Sequence, residues 1–107
     1  MTPQVNVNIP LPMDAIRAFC QRWGVRELAL FGSVLREDFR PNSDIDVLVT
    51  FADGSGITME RLTAMTEELE AVFGHSVDLM TRSNVEKSDN YIIRREVLRS
   101  AQVIYAA

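Results

Sequence analysis

Two aspartates, Asp44 and Asp46, stand at alternate positions of SDIDVLVTF (43–51), a run whose Ile45, Val47, Leu48 and Val49 need burial. Aspartate forms strands poorly and is seldom buried without a partner, so a pair of them at the head of an apolar run calls for a compensating charge. Residues two apart on a strand share a face, with Cα atoms roughly 6.5 to 7 Å apart, so the two carboxylates converge on one place. Such a pair suits Mg²⁺, which takes oxygen ligands at about 2.0 to 2.1 Å and commonly shares its shell with substrate phosphates. Two such ions about 3.5 to 4 Å apart can activate an attacking oxygen and stabilise a leaving one in an in-line phosphoryl displacement. A third aspartate, Asp78, lies between apolar neighbours in SVDLMT (76–81) and completes the set if its strand neighbours the first.

Holding a polyphosphate is the other half of that chemistry. Gly32 and Ser33 follow the apolar run VRELALF (25–31). Glycine lets backbone approach an anion closely, and N–H groups at a helix start, together with a serine hydroxyl, donate to phosphate oxygens. Arg36, one helical turn further on, can neutralise the same triphosphate. Singly, each feature has a plainer explanation: a Gly-Ser after a strand is usually a turn, a D-x-D is usually a solvated strand edge, and most arginines lie on the surface. The conjunction of all of them, in this order, carries the signal.

Elements must position these residues. Met13, Ile16, Phe19, Cys20 and Trp23 recur at helical spacing, with Pro12 suited to a first turn and Gly24 to a stop. VRELALF reads as a buried strand running into Gly32-Ser33, VLRED (34–38) as a short helix, and DIDVLVTF (44–51) as a second strand after the FRPNS loop. DGSG (53–56) is the clearest turn signal. Leu62, Met65, Leu69, Val72 and Phe73 mark an amphipathic helix ending at Gly74, and SVDLMT is a third strand. The tail begins with a cap at Ser88 or Asp89, places Ile93, Val97 and Ala101 on one helix face, and finishes as a strand at QVIYA (102–106). MTPQVNVNIPLP (1–12), with three of the four prolines, is an irregular or extended arm that can fray or dock on a partner. The order implies an α/β (α+β) fold with a small sheet, in one domain over residues 1–107.

Composition limits the functions available. With 47% hydrophobic residues among 107, the chain can build a core but has little left for a separate substrate domain, so its acceptor lies on another molecule. Fifteen acidic against 11 basic residues, without a basic stripe, disfavour autonomous nucleic-acid binding. One cysteine makes no internal disulfide, and no membrane-length apolar run or signal peptide is present, which makes a reducing cytoplasm the expected location. His75 is assigned a surface or capping role, Cys20 and Trp23 the core of the first helix, Arg94 and Arg95 a solvated face, and the methionines core filling.

On these residues the sequence resembles the DNA polymerase β-like nucleotidyltransferase superfamily, whose pattern is a Gly-Ser turn, two aspartates on one strand and a third on another. Within it, the chain resembles the minimal nucleotidyltransferase (MNT) proteins, small domains often paired with a HEPN-domain partner in prokaryotic toxin-antitoxin systems. The match is close over LALFGSVLREDFRPNSDIDVLV and looser through VDLMT and NYIIRREVLRSAQVIYA. The resemblance implies the nucleotidyltransferase fold, a small mixed β-sheet flanked by helices. It implies nucleotide binding at Gly32 and Ser33, to which Arg36 is added from its spacing, and catalytic, metal-holding roles for Asp44, Asp46 and Asp78. It also implies two Mg²⁺ ions, ATP as substrate, and AMP transfer to a hydroxyl of a HEPN-type toxin within a complex. One residue departs from the pattern: Glu37 follows Arg36 where many relatives have glycine.

A second reading from a different class is an antitoxin that neutralises its partner by covering it, its acidic charge suiting competition with RNA. Retention of three mutually repelling carboxylates favours the enzyme, since a disused site has no physical reason to keep them together. Nucleotidylation of a small molecule is weaker still, because nothing in so short a chain would bind the acceptor.

Overall fold

A computed structural model describes residues 9–36, 39–40, 42–52 and 57–107. Four strands, β1 (Val25–Phe31), β2 (Ile45–Phe51), β3 (Val77–Thr81) and β4 (Gln102–Ala106), form one sheet in the order β3-β2-β1-β4. β1 is antiparallel to β2 and β4, while β2 and β3 run parallel, so the sheet is mixed, as expected. The parallel pair needs a crossover, and α2 (Met59–Phe73) supplies it.

One face of the sheet carries Leu28, Leu30, Val47, Val49 and Leu79 and is covered by α1 (Met13–Trp23) and α2 through Ile16, Phe19, Cys20, Met65 and Leu69. The opposite face carries Ala29, Phe31 and Leu48, packed against Val85 of α3 (Arg82–Glu86) and Val97 of α4 (Tyr91–Ser100). Because β1 and β2 are central and buried on both faces, their sequences read as continuous apolar runs. Each large side chain fully buried on the first face, such as Leu69, contributes about 1.5 to 3 kcal/mol relative to exposure.

The long helices begin and end as their sequences direct. Thr58 caps α2 by accepting the Arg61 N–H at 3.2 Å, and Gly24 and Gly74 close α1 and α2 in left-handed geometry. An ion pair from Arg22 to Glu68, 2.7 Å, joins the two helices; between half-exposed groups it contributes under about 1 kcal/mol. Cys20 is buried, and burial pushes its thiol up to about 12, which removes it from consideration as a nucleophile. No helix among the described residues is long and apolar enough to cross a membrane.

Several expectations need correction. Instead of a short helix over VLRED, a 3-10 turn spans Gly32–Leu35; Glu37 and Asp38 lie outside the described residues. β2 begins at Ile45 and β3 at Val77, each one residue later than expected. α3 was not foreseen, since five residues carry no readable period. The α4 cap is Asn90, whose side chain accepts the Ile93 N–H at 3.2 Å, and Ser88 instead accepts the Asn90 N–H. Ile93 points outward, 51% exposed, and Met59 is exposed rather than core filling. Of the irregular arm, Ile9 is buried and Leu11 packs against the same core; residues 1–8 and the DGSG turn lie outside the described residues.

Candidate active site

The catalytic candidates meet at the end of the sheet where β1 finishes and β2 and β3 begin. Phe31 pairs with Asp46 across β1 and β2, and Asp46 pairs with Asp78 across β2 and β3. Adjacent strands lie about 4.8 Å apart, and residues in parallel register project to the same side, so these two carboxylates are neighbours. Alternation along each strand places both on the face that also carries Leu48, Met80 and Phe31. Asp44 sits one residue ahead of β2, exposed, where its backbone carbonyl accepts a hydrogen bond from Ser33 Oγ at 3.4 Å.

Gly32 is fixed at its position by two independent requirements. Its φ is +76°, in the left-handed region, and a Cβ built on it would collide with Asp46 Oδ2. Any other residue would therefore displace the central carboxylate as well as strain the turn. The turn that follows is closed by the Arg36 N–H donating to the Ser33 carbonyl at 2.9 Å.

Electrostatics tie the cluster together. Burial holds the Asp46 carboxyl above its usual range; the negative charges of Asp78 and then Asp44 push it the same way, and the Arg36 guanidinium opposes them. Two further carboxylates and one arginine thus act on the Asp46 carboxyl. Among the described residues, no group of three acidic, histidine or cysteine side chains is placed to hold a metal ion by itself. The carboxylates are instead an open group of hard oxygen donors at the sheet end, with an excess of negative charge that a hard divalent cation would relieve.

With this geometry, the sequence profile of the nucleotidyltransferase domain matches residues 13–101. The chain belongs to that family. Among curated relatives, the protein adenylyltransferase MntA of Thermococcus cleftensis is 35% identical over 78 residues, which is 73% of this chain and 77% of that protein. Among solved structures, a toxin-antitoxin crystallised with AMP-PNP superposes with a TM-score of 0.70 at 18% identity, covering 91% of this chain and 75% of the other. A tri-AMPylated Shewanella oneidensis HEPN toxin in complex with MNT antitoxin gives a TM-score of 0.60 at 17% identity, covering 88% of this chain and 69% of the other. At these identities the two structures establish the shared fold.

Three residues near the candidate site were not singled out for any part in it. Glu70 of α2 accepts the Val77 N–H at 3.0 Å and so fixes the start of β3 immediately before Asp78. His75 is half-buried rather than a surface cap, its ring 5.4 Å from that of Phe39 in the segment leading to Asp44. Glu70 is one of several glutamates on its helix, and Phe39 and His75 are far apart in sequence, so no local pattern marks any of them. Trp23 and Cys20 are in or against the core as expected, with the Arg61 guanidinium 5.6 Å from the Trp23 ring centroid.

Proposed function

We propose that the chain transfers AMP from ATP to a hydroxyl of a HEPN-type toxin, in a Mg²⁺-dependent reaction in the cytoplasm, and thereby acts as an antitoxin. The observation that carries this reading is the register that sets Asp46 beside Asp78, with Gly32 against Asp46 on the other side. The relatives named as a protein adenylyltransferase and as complexes with AMP-PNP or an AMPylated toxin support the nucleotide and the acceptor class.

In this reading Asp44, Asp46 and Asp78 hold two Mg²⁺ ions. When bound, these supply charge neutralisation at the phosphates and lower the pKa of the acceptor hydroxyl. Backbone at Gly32 and Ser33 and the Arg36 guanidinium hold the triphosphate. The 3.4 Å bond from Ser33 Oγ to the Asp44 carbonyl is long enough that a phosphate oxygen, as a charged acceptor, displaces it. The acceptor oxygen forms its bond to the α-phosphorus as the bond to the bridging oxygen breaks. Pyrophosphate leaves with that electron pair, and Asp78 takes the hydroxyl proton.

Intact-mass analysis tests this: the toxin gains the mass of AMP when incubated with the chain, ATP and Mg²⁺, and gains none with Asp44→Asn/Asp46→Asn. Calorimetry should show Mg²⁺-dependent ATP binding that the double variant lacks. Equal ATP affinity with and without Mg²⁺ would sink the metal site. Suppression of toxicity with no added mass would establish the covering antitoxin instead.

A further inference from the structure

A groove lies beside the site described above. Leu79, Met80, Asn84, Val85, Ser88 and Ile93 line a groove of about 230 Å³ between β3 and the α3–α4 pair. Met80 stands two residues beyond Asp78 on the same face of the same strand, roughly 7 Å along, which sets the groove beside the carboxylate cluster. Its outer lip is the first turn of α4, where Tyr91, Ile92 and Ile93 are 60%, 72% and 51% exposed. Three large apolar side chains on one exposed turn are costly to leave in water and mark an interaction surface.

The lip is also ordered and charged. Arg94 lies over the Tyr91 ring, 5.6 Å from its centroid, and donates to the Glu86 carbonyl at 3.5 Å, which preorganises the aromatic side chain. Rigid tyrosines with adjacent arginines are the side chains that most often anchor protein interfaces. α4 bears Arg94, Arg95 and Arg99 against Glu96 alone, in a chain whose formal net charge is -4. A second copy docking symmetrically here would set arginines against arginines. A protein segment with an apolar side chain and flanking carboxylates satisfies both the groove and its rim.

We infer that this groove is the docking site for the acceptor protein, which lays there an extended segment with an apolar residue against Met80 and Ile93, acidic residues over Arg94 and Arg95, and its reactive hydroxyl two residues away at Asp78. The inference rests on the transferase reading and adds the part that reading lacks, namely how the acceptor is recognised.

The probe is a HEPN-type toxin, the partner class of the structural relatives, co-expressed and purified with this chain. Ile93→Asp places a charge in the groove from a half-exposed position, and Asn84→Tyr fills it from an exposed one. Both should retain the wild-type melting temperature and ATP affinity. Both should raise the Kd for the probe and the KM for it as acceptor by ~10-fold or more, with kcat at saturating acceptor little changed. Arg95→Glu should weaken binding more at low than at high salt. If wild type transfers AMP and both groove variants match its acceptor KM, the docking site is refuted and the transferase reading stands. If wild type binds the probe without transferring, and the groove variants lose binding, the docking site stands and the transferase reading falls. A wild type that neither binds nor modifies the probe overturns both.

Discussion

The two faces of the sheet are built to different rules. The face under α1 and α2 is a continuous apolar core in which Ile16, Leu28, Leu30, Val47, Met65 and Leu69 are all fully buried. The opposite face has only a small cluster around Ala29, Phe31, Leu48, Val85 and Val97, and beside it the carboxylates of Asp46 and Asp78. The first face holds the molecule together and the second holds its charges. Carboxylates can gather only where the core is thin, because a charge in the dense face would be desolvated without compensation. Even at its edge position, partial burial and mutual repulsion already raise Asp46.

This division can be broken or sharpened by substitution. The largest effect is expected from Asp78→Asn, which should lose AMP transfer by roughly 10² to 10⁴, the scale for removing a positioned base, while binding ATP nearly as wild type does. Normal transfer by this variant, read by intact mass, would end the assignment of Asp78.

Gly32→Ala should follow, with transfer falling by about 10²-fold as Asp46 is displaced. It should also destabilise the fold by about 1 to 3 kcal/mol from the strained turn. Denaturant melts and transfer rates on one preparation separate the two losses. A fully active Gly32→Ala would show that the turn does not control Asp46.

On the other face, Leu69→Ala should cost about 2 to 5 kcal/mol of stability yet leave transfer per folded molecule intact. Loss of transfer well below its melting transition would mean that the two faces are coupled after all.

The smallest effect concerns pH. The folded-state pKa of Asp46 is raised, so the native state holds its proton more tightly than the unfolded chain. That contribution is fully present below the ordinary carboxylate pKa of about 3.9 and is lost as pH rises from there through the raised value. Wild type and Asp46→Asn should therefore melt alike at low pH without metal, and diverge in favour of the variant as pH rises through that window. Mg²⁺ should narrow the gap at neutral pH by stabilising wild type alone. Identical melting at every pH would show that the carboxylate is under no electrostatic stress.

What could be read from the sequence divides along the same line. α1 and α2 were legible because one stripe of each must meet a large apolar face, and a helical period with glycine stops encodes that directly. β1 and β2 were legible as runs, and Gly32, Ser33, Asp44 and Asp46 stand out because they interrupt those runs. The adjacency of Asp46 and Asp78 was conditional on strand order, which periodicity does not contain; resemblance filled that gap. The collision between a Gly32 Cβ and Asp46 could not be foreseen, since glycine at a turn has many uses. α3 and the Asn90 cap escaped for want of length. Ile93 was misplaced because its helical spacing fits Val97 equally well on the buried side, and only the position of α4 on the sheet decides between stripes.

The parallel pairing of β2 with β3 has a consequence for the order in which the chain is made. Gly32, Ser33, Asp44 and Asp46 leave the ribosome close together, but Asp78 follows only after the whole of α2 has been synthesised. The crossover must then dock before β3 can add beside β2, and such non-local pairing is slow compared with local turn formation. A nascent chain therefore carries the Gly32-Ser33 turn and two carboxylates without the third. Completion of the carboxylate group is a late event that coincides with closure of the sheet, so chemistry at this site is confined to molecules that have finished folding.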